Sequence, residues 1–271
     1  MFSGIKRHAN KTVEHAFGKA WLHSASNALA KAGLKGLGVN INYELEDSGE
    51  LKFLKRLISF KPDMVCFDVG ANCGDYTRLC ISLGASKVYA FEPCKSTFQQ
   101  LERTTSTSNS VFCINTAVGE VNGPIDFYVP KAQSLSTLAS RDISITTVES
   151  CDAEKETVSM TTLDSFVRGP DFVASRINFI KINVEGYELE VLNGAADIIE
   201  RYKLVIQFEF NTHHMKRRHF IYDFAELLKA YKLYRLSSGS MRLLDPDHFL
   251  SNIFGYQNVV ALSESDLNIV F

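Results

Sequence analysis

Val65-Cys66-Phe67-Asp68-Val69-Gly70-Ala71-Asn72-Cys73-Gly74, followed by Val88-Tyr89-Ala90-Phe91-Glu92-Pro93, decides the reading of this 271-residue chain. An apolar run enters a glycine turn, a helix-compatible stretch from Asp75 to Leu83 leaves it, and a second apolar run ends on an acid about twenty positions on, as a βαβ ribose site requires. Gly70 lets the backbone turn sharply at the strand end, and Gly74 is expected to let the next helix pack close to the sheet. Glu92 is placed to hold two ribose hydroxyls.

The spacing selects the ligand. A dinucleotide turn reads G-x-G-x-x-G so that a pyrophosphate can sit on the helix N-terminus; here the middle glycine is missing. The turn suits a nucleoside without phosphates, and S-adenosylmethionine is one, ahead of a nicotinamide or flavin nucleotide. The plainer reading makes Asp68 a helix cap, Gly70 the end of a buried strand and Glu92 a solvated carboxylate before a proline turn.

At 45% hydrophobic content the chain can bury one sizeable core. Its formal charge is −2, but residues 1–40 carry six Lys or Arg against Glu14 alone, leaving −7 on the remainder. An acidic body argues against nucleic acid as a partner. No apolar stretch approaches the roughly 20 residues of a membrane span, and Lys and His interrupt every short apolar run near the start. A soluble, cytoplasmic protein is expected. Six cysteines show no C-x-x-C pair and read as reduced thiols, Cys73 included, with packing favoured over reactivity.

Residues 11–33 place Val13, Phe17, Trp21 and Leu29 at roughly helical spacing, an amphipathic helix expected to pack on the body or to join two copies in a homo-oligomer. Gly33, Gly36 and Gly38 suggest a loop, and Gly49 to Phe60 a second helix, so residues 1–60 form a helical extension to a domain at 61–271. From there strands and helices alternate: strands at 64–69, 87–92, 111–116, 156–161, 177–184 and 203–210, helices at 74–84, 95–104, 187–199 and 219–230. The segments 231–237 and 257–262 read as an antiparallel pair at one sheet edge, and 119–150 as an irregular insertion with a short strand near 125–129. The result is an α/β doubly wound sheet.

Ligands of open α/β sheets bind outside the carboxyl ends of the strands. There the sequence puts Asp68 with Asn72, Glu92, Asn183 with Glu185, and Glu209 with Asn211, His213 and His214. Asp68-Val-Gly-Ala-Asn-x-Gly with Thr77, Phe91-Glu92-Pro93, Asn115-Thr-Ala-Val-Gly119, Thr162-Leu-Asp164, Ile180-Lys-Ile-Asn-Val-Glu-Gly-Tyr-Glu188 and Val191-Leu-Asn-Gly-Ala195 together resemble the FkbM-type family of S-adenosylmethionine-dependent methyltransferases, over residues 64–262.

That resemblance implies a mostly parallel, seven-stranded Rossmann-like sheet and transfer of a methyl group, commonly to a hydroxyl of a sugar, polyketide or related metabolite. It sets Asp68, Gly70, Asn72, Gly74, Thr77, Asn115, Ala117 and Asn183 around the donor beside Glu92, and leaves a small-molecule or carbohydrate acceptor to loops over the cleft, 1–60 and 130–150 among them. Candidate catalytic residues are Lys181, Glu185, Glu209 and His213, with His214 as a further base; Lys181 and Glu209 are equally well explained as a buried ion pair between neighbouring strands.

One departure stands out: Asn183 occupies the place where the family usually carries Asp. A non-catalytic donor-binding protein is therefore the alternative, and an obligatory metal is not expected. An NAD(P)-dependent oxidoreductase is disfavoured by the missing glycine and the lack of a Tyr-x-x-x-Lys pair.

Overall fold

β-Branched and aromatic runs that are apolar throughout pair best when both faces are covered, the situation of a parallel sheet between helices. The computed structural model describes residues 20–39, 47–130 and 153–271. Its strands are β1 (Val65–Val69), β2 (Lys87–Phe91), β3 (Val111–Ile114), β4 (Ala117–Val118), β5 (Gly123–Pro130), β6 (Ala153–Thr161), β7 (Phe179–Ile182), β8 (Val205–Phe210), β9 (Tyr231–Leu236), β10 (Met241–Leu243) and β11 (Gln257–Ser263). The main sheet runs β10-β9-β11-β8-β7-β1-β2-β3. β3, β2, β1, β7 and β8 are parallel, and β11 lies antiparallel between β8 and β9.

Several expectations need correction. The sheet has eight strands, because the short β10 adds to the edge beyond the seven implied by the resemblance. The strand near 156–161 belongs to a separate sheet of order β4-β6-β5, where β5 and β6 pair antiparallel over eight positions. The helix of 187–199 is two, Glu188–Asn193 and Ala196–Tyr202, broken at Gly194. A helix at Thr212–Arg217 carries the two histidines, and the helix expected at 219–230 spans only Ile221–Leu227.

At the N-terminal end the helix is His23–Gly36, with Gly33 and Gly36 inside it and not one buried residue. Trp21 is 76% exposed, so it does not pack on the body; Phe17 and the rest of residues 1–19, and segment 131–152, lie outside the described residues. The helix Glu50–Phe60 is different in kind, with Phe53, Leu54 and Leu57 fully buried.

The two faces of the sheet hold separate cores. On one, Phe67 meets Tyr89, Phe91, Phe166 and Phe172 edge-on, while Phe208 stacks on Phe224 with ring centroids 4.4 Å apart. On the other, Cys66, Phe179, Val205 and Val260 pack beneath Phe53, Leu54, Tyr76 and Cys80 of the helices Glu50–Phe60 and Asp75–Ser82. No helix among the described residues is long and apolar enough to cross a membrane.

Candidate active site

At the carboxyl ends of β1, β2, β7 and β8 lies a cavity of about 860 Å³, toward the upper end of the ~300–1,000 Å³ usual for small-molecule sites. The glycine turn forms one wall. Gly70 has φ 79°, and a Cβ there would stand 1.9 Å from the carbonyl oxygen of Asn183, so only glycine lets the ends of β1 and β7 approach this closely. Asn72 and Glu185, both lining the cavity, hold left-handed backbones with φ 52° and 57°. Such conformations in non-glycine residues persist where the surrounding fold enforces them.

Glu92 lines the neighbouring wall. Its Oε2 accepts the Asn72 N–H at 3.0 Å and its Oε1 the Cys94 N–H at 2.9 Å. Burial pushes its carboxyl up to about 7, against the pull of those two amides. Thr97, Phe91, Ala117, Val118 and the apolar Ile125, Phe127 and Met160 continue this half.

Lys181, Asn183, Glu185 and Glu209 line the opposite half. Burial, with Glu185 and Glu188 close by, pushes Glu209 up to about 8, although Lys181 and the amide of Asn211 act the other way. Lys181 is buried on the face of β7 beneath the Tyr76 ring, its Nζ 5.3 Å from the ring centroid. The expected ion pair with Glu209 does not form: among the described residues no carboxylate oxygen lies within 4.0 Å of the Lys181 Nζ. The two strands hold these side chains at staggered heights, Lys181 level with Gln207 and Glu209 one pleat further on.

Other candidates work from behind the wall. Asp68 is fully buried and its Oδ2 accepts from Thr77 Oγ1 at 2.6 Å; burial raises its carboxyl, against Lys181 and Thr77. Gly74 faces the helix Lys95–Thr105 and not the sheet, since a Cβ there would meet Leu101 Cδ1 at 2.8 Å. Asn115 ties its amide to the carbonyls of Glu92 and Pro93. Asp68, Gly74, Thr77 and Asn115 therefore shape the cavity without lining it.

His213 also stands outside, with its Nδ1 2.8 Å from Glu185 Oε2. His214 is a buried structural residue. Its Nδ1 accepts the Asn211 N–H, which leaves Nε2 to carry the hydrogen toward Glu188 Oε2 at 2.8 Å. Burial alone would raise Glu188; the His214 ring and the Val184 N–H outweigh it and hold the carboxyl below its usual range.

Four residues singled out by no motif complete the polar half: Glu50, Tyr76, Tyr256 and Asn258. Gln207 Nε2 donates to Glu50 Oε1 at 2.6 Å, Tyr76 OH donates to Gln207 Oε1 at 2.8 Å, and Asn258 Nδ2 donates to the Tyr256 hydroxyl at 3.1 Å. Asn258 reaches the site because β11 is antiparallel, so its start and not its end falls beside Glu209. That direction is the signal that could have found it. No group of three or more His, Cys, Asp or Glu among the described residues is arranged to hold a metal.

A parallel sheet whose last strands reverse, with a glycine turn after β1 and an acid after β2, defines the Rossmann-like methyltransferase fold. The chain belongs to the FkbM methyltransferase family: the Methyltransferase FkbM domain matches residues 68–236. It is 31% identical over 165 residues to the hexuronic acid methyltransferase AglP of Haloferax volcanii, a match covering 58% of this chain and 61% of that protein's length. Among solved structures it is similar to the methyltransferase FkbM of Methylobacillus flagellatus KT, at TM-score 0.45 and 17% identity over 74% of this chain and 44% of that one. It is also similar to the magnesium protoporphyrin IX methyltransferase of Synechocystis PCC 6803, at TM-score 0.40 and 9% identity over 79% and 80%.

Proposed function

We propose that this protein is an S-adenosylmethionine-dependent methyltransferase acting on a hydroxyl of a sugar or another small metabolite. The observation that carries the reading is the continuity of the cavity, lined at once by Gly70, Asn72, Glu92, Glu185 and Glu209. The residues fit the donor: Gly70 keeps the turn open, and a carboxylate offers about four acceptor positions, of which Glu92 uses two on backbone amides. The others are free for ribose hydroxyls. Ala117 borders the base, and Asn183 the sulfur-bearing end.

The donor supplies a methyl group already activated on a sulfonium. What remains for the chain is to align an acceptor oxygen with it and keep water out, which can be worth effective molarities on the order of 10⁵ M or more. When bound, the donor would supply an electrophilic methyl whose leaving group is a neutral thioether, so the chain itself would have to take up only the hydroxyl proton of the acceptor. Glu209, pushed up to about 8, is in its ionised fraction a stronger proton acceptor than an ordinary carboxylate. Glu185, held by His213, is the second candidate base. A carbohydrate acceptor agrees with the name of the Haloferax relative.

Titration calorimetry with S-adenosylhomocysteine and NAD, then transfer of labelled methyl to a panel of hexoses and uronic acids, tests the proposal. Binding of the homocysteine compound together with a labelled sugar is the expected result. Indifference to that compound at millimolar concentration rejects it. Tight binding with no transfer to any acceptor, alongside an active Asn183→Asp variant, would favour a binding protein that has lost its chemistry.

A further inference from the structure

The polar half of the cavity holds an imbalance. Glu185 faces His213, Glu190 is bridged to Arg217, and Glu50 is bonded to Ser48 and Gln207. Lys181 has no such arrangement: it is 7% exposed, it lines the cavity, and among the described residues its ammonium makes neither a hydrogen bond nor an ion pair. The carboxyls on which its charge acts, Asp68 and Glu209, are both driven toward their neutral forms by burial. Burying an ammonium without an anion is costly, and an anionic group entering the cavity would offset that cost.

A second orphan stands beside it. Asn183 Oδ1 is buried without a hydrogen-bond partner and belongs to the same cavity wall. It follows Lys181 by two positions, just past the end of β7, and both side chains line the cavity. One is a cationic donor and the other a neutral acceptor. A ligand that satisfies both has a carboxylate with an N–H or O–H group on a neighbouring carbon.

We propose that Lys181 is a carboxylate seat in this cavity, with Asn183 Oδ1 receiving the donor group next to that carboxylate. The inference rests on the methyltransferase reading for the ligands at issue, and two of them bear such a carboxylate: the amino-acid end of the methyl donor, and an acidic sugar acceptor. In either case Lys181 is a positioning residue and not a base.

Two pairs of probes separate these sources. S-adenosylhomocysteine is compared with 5′-methylthioadenosine, which keeps the nucleoside and lacks the amino acid. Glucuronate is compared with glucose, on the protein alone and saturated with S-adenosylhomocysteine. In calorimetry the carboxylated member of one pair should bind at least tenfold tighter. Lys181→Gln should erase that preference, Lys181→Arg should keep most of it, and the uncharged member should bind all three proteins alike.

A preference in the first pair assigns the seat to the donor, and one in the second to the acceptor. No preference in either pair, or one that survives Lys181→Gln, overturns the proposal. Nitrogen-15 resonances of lysine Nζ in the unsubstituted protein give a readout that needs no variant. One resonance should shift with the carboxylated probe and not with its uncharged partner. If neither nucleoside binds, the methyl-donor reading fails, while the glucuronate pair still decides the role of Lys181.

Discussion

β7 and β8 present two faces built from alternate residues of the same short strands. Ile180, Ile182, Ile206, Phe208 and Phe210 enter a wholly apolar layer of fully buried side chains. Lys181, Gln207 and Glu209 look the opposite way, toward Tyr76, Glu50 and the cavity. The strand period of two makes this sorting automatic. One face is apolar throughout; the other sets charge and amide groups beside the buried Phe179 and Val205, at an energetic cost that the packing of the helices Glu50–Phe60 and Asp75–Ser82 helps to offset.

The division can be broken by experiment, most forcefully on the apolar side. Phe208→Ala removes a fully buried ring stacked on Phe224, and should cost about 3–5 kcal/mol in urea denaturation while the surviving folded protein binds S-adenosylhomocysteine normally. A small loss of stability, or a large loss of affinity in the folded fraction, would mean the faces are not independent. One residue along, Glu209→Gln should leave the fold and donor affinity intact and lower turnover by about 10²-fold or more if it is the base. Unchanged kcat would pass that role to Glu185.

Glu92→Ala sharpens the contrast within the cavity, between the donor half and the acceptor half. It should weaken S-adenosylhomocysteine by about 1–3 kcal/mol in calorimetry, and equal affinity would remove Glu92 from the ribose. A further test concerns pH. Glu92 and Glu209 are raised in the folded state to about 7 and about 8, so between the ordinary carboxylate range and those values the native protein retains protons that the unfolded chain has released.

Stability of the ligand-free protein should therefore fall as pH rises through that window, by at most about 1.4 kcal/mol per pH unit for each group. Below it both carboxyls are neutral in either state and the penalty vanishes. Glu209→Gln should flatten the upper part of the slope in denaturation curves taken across that range, and an unchanged slope would assign the effect elsewhere.

Much of the glycine-turn half of the cavity is legible along the chain because its parts are local. A glycine turn ends one strand and an acid ends the next, and each signal is a few residues long. The polar half resists the same treatment. Glu50, Tyr76 and Asn258 come from a helix before the sheet, the first crossover helix and a reversed final strand, and meet only through the packing of those elements. The histidine pair shows the same limit. Next to each other in sequence, His213 braces a cavity-lining carboxylate and His214 locks a buried one, because successive residues of a helix turn in different directions.

By itself, the sequence determined the alternation of strands and helices, the glycine bend and the acid after β2, since backbone conformational limits and hydrophobic periodicity act over neighbouring residues. Only the tertiary structure decided that Asp68 and Thr77 stand behind the wall, that Lys181 faces the cavity with no carboxylate within 4.0 Å among the described residues, and that Glu209 is raised to about 8. Burial and the distance between charges belong to the assembled fold, and both shift protonation in ways that residue type alone does not show.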